Sequence, residues 1–296
     1  MKRAALVLLC VAGAVHLAAC SDQFDLAPRS APSVDLASAT APSALPSQAT
    51  PALAVGPTPT PPPSATPVVP DSGWLPLREG MEQRVINLAA DDGEWLENIT
   101  ILRLDPAFFQ FDVGYRPGQP QSLPAWQEQT GGLLLVNGGF FTEANEATGL
   151  LISGGQHYGA SYEGFGGMFA VTPGGPTLRW LPQQPFDAAE PLQAALQAFP
   201  MLLTPGGVPG PTSDDGHRAR RTIVAQDTEG RILFLLAAHG HFTLYGLSYY
   251  LMASDLGLNT ALNLDGGASS GLLLSEPDVY VPAFALLPSV IVVHEK

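Results

Sequence analysis

The sequence predicts an α+β fold: a mixed, largely antiparallel sheet with a few packed helices, in a single domain spanning residues 72–296. Three observations carry that prediction. Short apolar stretches of strand character are numerous, whereas helical patterns are few. Two of these stretches, 221–226 and 232–237, flank Asp227-Thr228-Glu229-Gly230, which reads as the turn of a hairpin. Strands and helices also fail to alternate regularly, which disfavours a doubly wound parallel sheet.

Taken in order, residues 83–88 and 98–104 read as strands, the second through the alternation in Ile99-Thr100-Ile101-Leu102-Arg103-Leu104. A third, 108–113, follows the Asp105-Pro106 turn. Residues 122–129 suit a short helix, since Pro124 is tolerated in a first turn. Leu133-Leu134-Leu135-Val136 is apolar throughout and reads as a fully buried strand. Further strands are expected at 149–152, 168–171 and 177–180, with a Gly-rich loop over 153–167. Residues 188–199 read as a helix stopped by Pro200, followed by a short strand at 201–203 and a Gly/Pro loop at 204–216. After the hairpin, Thr243 caps a helix whose Leu244, Leu247, Leu251 and Met252 form one apolar face and which Gly257 closes. Leu262 and Leu264 alternate with Asn263 as in a half-buried strand, and 286–293 is the last strand.

The chain ahead of this domain has a different composition. Residues 1–19 carry Lys2-Arg3, an apolar run and then small residues, the pattern of a signal peptide too short to span a membrane. Leu17-Ala18-Ala19-Cys20 resembles a bacterial lipobox, which makes Cys20 the expected lipidation site. Residues 20–71 turn to Pro, Ala, Ser and Thr, a composition that buries no core and reads as an extended stalk. At ~3.1 Å per residue where extended, it reaches on the order of 100 Å. The expected location is therefore outside the cytoplasm, anchored by lipid to a bacterial cell envelope.

Cys10 and Cys20 are the only cysteines, so the domain has neither a disulfide nor a thiol nucleophile, and its stability rests on an ordinary core. The apolar content of 46% permits one. The net charge is −14, and loss of Lys2 and Arg3 with the signal makes it about −16. Such a balance argues against nucleic acid and against an electrostatic grip on a membrane. One basic island interrupts it, His217-Arg218-Ala219-Arg220-Arg221.

Two strands close in the same way, one in Asn137-Gly138-Gly139-Phe140-Phe141 and one in Asp265-Gly266-Gly267-Ala268-Ser269-Ser270. Spacing alone leaves each open as a tight turn or as part of a site. The basic island suits an anion, because guanidinium binds phosphate or carboxylate through parallel hydrogen bonds; a solubilising loop is the plainer alternative. His239-Gly240-His241 is open as a metal pair, a contact to polar substrate or a loop. No HExxH, G-x-S-x-G or G-x-x-x-x-G-K motif is present, which leaves zinc proteases, serine hydrolases and P-loop enzymes without support.

The order of these pieces is informative. The Asn137 strand end, then Arg221-Thr222-Ile223-Val224-Ala225-Gln226-Asp227, then Gly246-Leu247-Ser248, then 262–270 resembles the phosphodiester glycosidase family, from about Trp74 to the C-terminus. The resemblance implies hydrolysis of a sugar-1-phosphodiester at the anomeric C–O bond, giving free sugar and a phosphomonoester. It implies catalytic roles for Asp265, Arg221 and Asn137, and substrate binding by Gly138, Gly139, Phe140, His239, Gly266, Gly267, Ser269 and Ser270. Arg221 would hold the phosphate. Asp265 is left open as nucleophile, base or orienting group, and Glu143 and Glu163 are further carboxylates in nearby loops. Three positions depart from the pattern: Ala225 and Ala268 replace frequent glycines, and His239 stands where an aspartate is expected. The expected partners are a sugar-phosphodiester or glycan substrate and, through the lipid alone, a membrane. No cofactor is expected, and a divalent cation is left open. The competing reading is a non-catalytic glycan- or anion-binding envelope lipoprotein; ordinary glycosidase action without phosphate is a third.

Overall fold

The computed structural model describes residues 70–296. The signal, Cys20 and nearly all of the stalk lie outside the described residues. In chain order the elements begin with β1 (Leu75–Arg78), β2 (Met81–Ala89), β3 (Trp95–Leu104), β4 (Phe109–Tyr115), α1 (Leu123–Thr130) and β5 (Leu134–Asn137). Next come β6 (Leu151–Ser153), β7 (Gln156–Tyr158), β8 (Gly167–Thr172), β9 (Gly175–Trp180), β10 (Ala194–Ala198), β11 (Met201–Thr204) and β12 (Val208–Pro209). The last are β13 (Arg221–Asp227), β14 (Ile232–Ala237), α2 (Leu244–Ala253), β15 (Leu258–Asn263), β16 (Leu272–Leu274), β17 (Val279–Val281) and β18 (Ser289–Glu295).

The strands form three sheets, ordered β1-β2-β3-β14-β13-β15-β11-β12, β7-β6-β10-β8-β9 and β17-β16-β5-β18-β4. The expected single mixed sheet is thus corrected to three sheets, and the pairings within them are antiparallel. The architecture is mainly β, with two α-helices among the described residues, rather than a balanced α+β. The sheets share one core. Phe111 of β4, Phe169 of β8 and Phe234 of β14 bring one ring from each sheet together, with centroids 6.1 and 6.5 Å from that of Phe111. Outside this core, α2 lays Leu247 and Leu251 on the first sheet, and α1 lays Leu123 and Trp126 on the third. Both helices form where expected: Thr243 caps α2 as read, and Ser122, expected inside α1, is instead its N-cap.

Three local expectations are corrected. Residues 188–199 are not a helix; their second half is β10, buried along its whole length between β6 and β8. Alanine, leucine and glutamine favour helix intrinsically, but burial on two faces overrides so weak a preference. Met252 is 47% exposed and not on the packed face of α2. That helix ends at Ala253, with the Ser254 N–H bonded to the Leu251 carbonyl, and Gly257 instead turns the chain into β15. Finally, Asn263 is as buried as Leu262 and Leu264, because both faces of β15 are covered: Leu262 and Leu264 enter the core shared by the sheets, and Ala261, on the Asn263 side, packs in the cluster under α2.

Candidate active site

The two Gly-Gly strand ends converge. Asn137 closes β5 in the third sheet, and Asp265 lies two residues beyond β15 in the first. The fully buried Asn137 carboxamide joins them, its Nδ2 donating to the Asp265 carbonyl at 2.8 Å and to the Gly138 carbonyl at 3.2 Å. Its Oδ1 accepts the Gly271 N–H at 3.1 Å. The Asp265 N–H returns a bond to the Gly138 carbonyl at 3.2 Å. Asn137 therefore spends its side chain on the backbone of three segments. It is placed as a clamp rather than as a donor to substrate.

The glycines permit this closeness. A Cβ on Gly138 would lie 2.9 Å from both the Cβ and the carbonyl of Ser289, and one on Gly266 would lie 2.9 Å from the Arg220 carbonyl. No side chain fits at either distance. The Gly267 N–H then bonds that same Arg220 carbonyl at 2.8 Å, and residues Gly267–Ser269 form a single 3₁₀ turn.

Asp265, Ser269, Asn137, Gly138 and Gly139 line one small crevice together with Phe141 and Ser289. A separate groove of about 970 Å³ lies at the other end of β18, beside His294, and holds none of these residues. Burial raises the Asp265 pKa above its ordinary value, and hydrogen bonds from the Ser269 hydroxyl and the Gly266 N–H oppose the shift. Among the described residues no cation ion-pairs with this carboxylate. Ser270, next in the chain after Ser269, is fully buried, and its hydroxyl has no hydrogen-bond partner among the described residues.

Arg221 opens β13 and is only 7% exposed. Its Nη2 donates to the His217 carbonyl at 2.7 Å, its Nε is buried without an acceptor, and its Nη1 faces Gly266, 3.9 Å from where a Cβ would stand. Burial lowers its pKa, and Asp215 works against that. The basic island thus brings a desolvated guanidinium to the turn that carries Asp265.

His239 is not in the crevice. Its side chain is exposed, and its N–H is held at 2.6 Å by Glu97, whose other oxygen takes the His241 N–H at 2.9 Å. Glu97 is 1% exposed, on β3. A carboxylate does meet this turn, but it arrives from another strand. Sequence reasoning missed Glu97, although a signal was there: it shares strand parity with the buried Ile99 and Ile101. Phe140 points elsewhere, into a ring cluster with Phe199 at 4.7 Å, to which Tyr162 and Phe165 belong. Glu143 and Glu163 are exposed and outside the crevice. Among the described residues no three His, Cys, Asp or Glu side chains gather as a metal site.

With this geometry in hand, comparison with known proteins places the chain. The family model for phosphodiester glycosidases matches residues 130–294, more than half of the sequence and all of the site. The chain belongs to that family. Solved structures share the fold of this phosphodiester glycosidase domain. The zebrafish N-acetylglucosamine-1-phosphodiester alpha-N-acetylglucosaminidase catalytic domain, auto-inhibited by its pro-peptide, superposes with a TM-score of 0.58 at 18% identity, covering 73% of this chain and 84% of that one. A hypothetical protein from Synechocystis gives 0.50 at 15% identity, over 74% and 62% of the two chains. Among curated proteins none matches the sequence.

Proposed function

We propose that this glycosidase hydrolyses the anomeric C–O bond of a sugar-1-phosphodiester, working at the end of a lipid-anchored stalk attached through Cys20. The observation that carries the reading is the pairing of a partly buried, desolvated carboxylate that has no ion-pair partner among the described residues, Asp265, with a buried arginine, Arg221, on the two sides of Gly266. A phosphomonoester leaves as a stable anion, so the reaction depends less on a strong general acid than ordinary glycoside hydrolysis does. It needs a cation on the departing phosphate and a negative charge at the anomeric carbon. Arg221 Nη1 supplies the first. Asp265 supplies the second, its charge undiminished by any ion pair. Water adds its oxygen to the anomeric carbon, the C–O pair passes to the phosphate, and the water's proton is taken up by the carboxylate. Ser269 holds that carboxylate in place. Asn137, Gly138 and Gly139 set its backbone, Gly266 lets the turn close on the Arg220 carbonyl, and Gly267 leaves open space for the substrate's approach.

The test uses the full chain against a panel of sugar-1-phosphodiesters, with free sugar and phosphomonoester both measured. Asp265→Asn and Arg221→Gln should each lower turnover by about 100-fold or more, with circular dichroism unchanged. Folded variants that turn over normally would refute the assignment. Substrate binding by wild type with no product at all would instead favour the non-catalytic reading.

A further inference from the structure

Arg220 is left over once Arg221 is assigned. The two residues leave the chain on opposite sides, Arg221 against Gly266 and Arg220 against the segment from Pro282 to Phe284. That segment belongs to the same site, since the Phe284 and Ala285 N–H groups both bond the carbonyl of Ala268 at 2.7 and 3.0 Å. Arg220 Nη2 donates to the Pro282 carbonyl at 3.0 Å. Its Nε and Nη1 are buried and have no acceptor. The Phe284 ring lies over the guanidinium at 4.4 Å while remaining 74% exposed, so a large apolar side chain is kept in solvent on top of a cation.

The carboxylate that acts electrostatically on Arg220 is Glu97. Its oxygens are already taken by the N–H groups of His239, His241 and Asn98, and no ion pair joins it to Arg220. Two idle guanidinium donors at the rim of a phosphodiester site point to an anion not yet counted. A phosphodiester brings one charged phosphoryl group, and Arg221 takes it. A second phosphoryl group on such a substrate belongs on the side away from the sugar.

We propose that Arg220, capped by Phe284, binds a second anionic group, and that the substrate is a sugar linked through a diphosphate rather than a single phosphate. This rests on the phosphodiester reading of the site. In this arrangement Arg220 is a specificity residue that recognises the leaving group and takes no part in bond cleavage.

Calorimetric titration of the full chain at low ionic strength, with inorganic orthophosphate and inorganic pyrophosphate as the probes, tests this. Wild type should bind pyrophosphate about tenfold or more tightly than orthophosphate. In Arg220→Gln the ratio should fall to within about threefold while orthophosphate affinity holds within about twofold. Arg221→Gln should weaken both ions. If Arg220→Gln does not fold, Arg220→Lys keeps the charge near Glu97 without the planar fork and should also lose most of the preference. A preference that survives either substitution overturns the proposal. So does a lowered Tm with both affinities unchanged, which would make Arg220 only a counter-charge for Glu97. Orthophosphate binding without a pyrophosphate preference in wild type sinks this inference alone. Failure of wild type to bind either ion removes the phosphate role of Arg221 as well.

Discussion

Asp265 is a carboxylate kept where its charge is disfavoured. Because burial raises its pKa, the folded protein retains a proton over a pH window in which the unfolded chain has already lost it. Stability contributed by this group therefore falls as pH rises from the ordinary carboxylate pKa through the raised one, and the penalty is complete above it. Replacement by Asn removes that penalty. Asp265→Asn should raise Tm at neutral pH, and the gain should shrink toward acid; melting both proteins from about pH 4 to about pH 8 measures it. Identical pH profiles would mean that the carboxylate is not desolvated. The kcat/KM of wild type should accordingly fall on the acid side at a pH above that of an exposed aspartate.

At the scale of elements, the site is a splice between strand ends, and glycine is what makes the splice possible. Gly138→Ala pushes a methyl group into Ser289 of β18, and overpacking of this kind costs about 1–3 kcal/mol. Chemical denaturation should show that loss, with turnover falling alongside; an unchanged midpoint would show that β5 and β18 can separate freely. Much of this was legible in the residues. The two Gly-Gly ends, the hairpin at 227–230 and the Thr243 cap of α2 all stand where local chemistry put them. What stayed hidden depends on partners far away in the chain. Residues 188–199 carry helical propensity, and only the neighbours β6 and β8 make their second half a strand. The short strands β7 and β12 have no apolar pattern of their own and exist because a paired edge is offered to them. Asn137 read as a possible donor to substrate because nothing in the sequence shows that its donors and acceptor are already occupied.

At the scale of the whole molecule, the first described residues are held to the first sheet by Arg84 of β2. Its guanidinium bonds Asp71 at 2.6 and 2.9 Å and Asp255 at 2.9 and 3.0 Å, and these carboxylates keep it firmly charged. The first residues of the domain are thereby tied to the loop after α2. Arg84→Met should cost about 1–3 kcal/mol and expose the 70–78 segment to proteolysis, with turnover unchanged; resistance equal to wild type would show that backbone pairing alone holds it. The Asn137 clamp has a different consequence, one of timing. Its partners Asp265 and Gly271 lie 128 and 134 positions further along the chain. Contacts so distant in sequence form late and slow folding, because the intervening chain must be ordered first. A polypeptide emerging N-terminus first presents Asn137 long before its partners exist. Activity should therefore appear in one late step during refolding, together with the last protection of the Asp265 amide from hydrogen exchange. Until then, no partly made chain carries the assembled crevice.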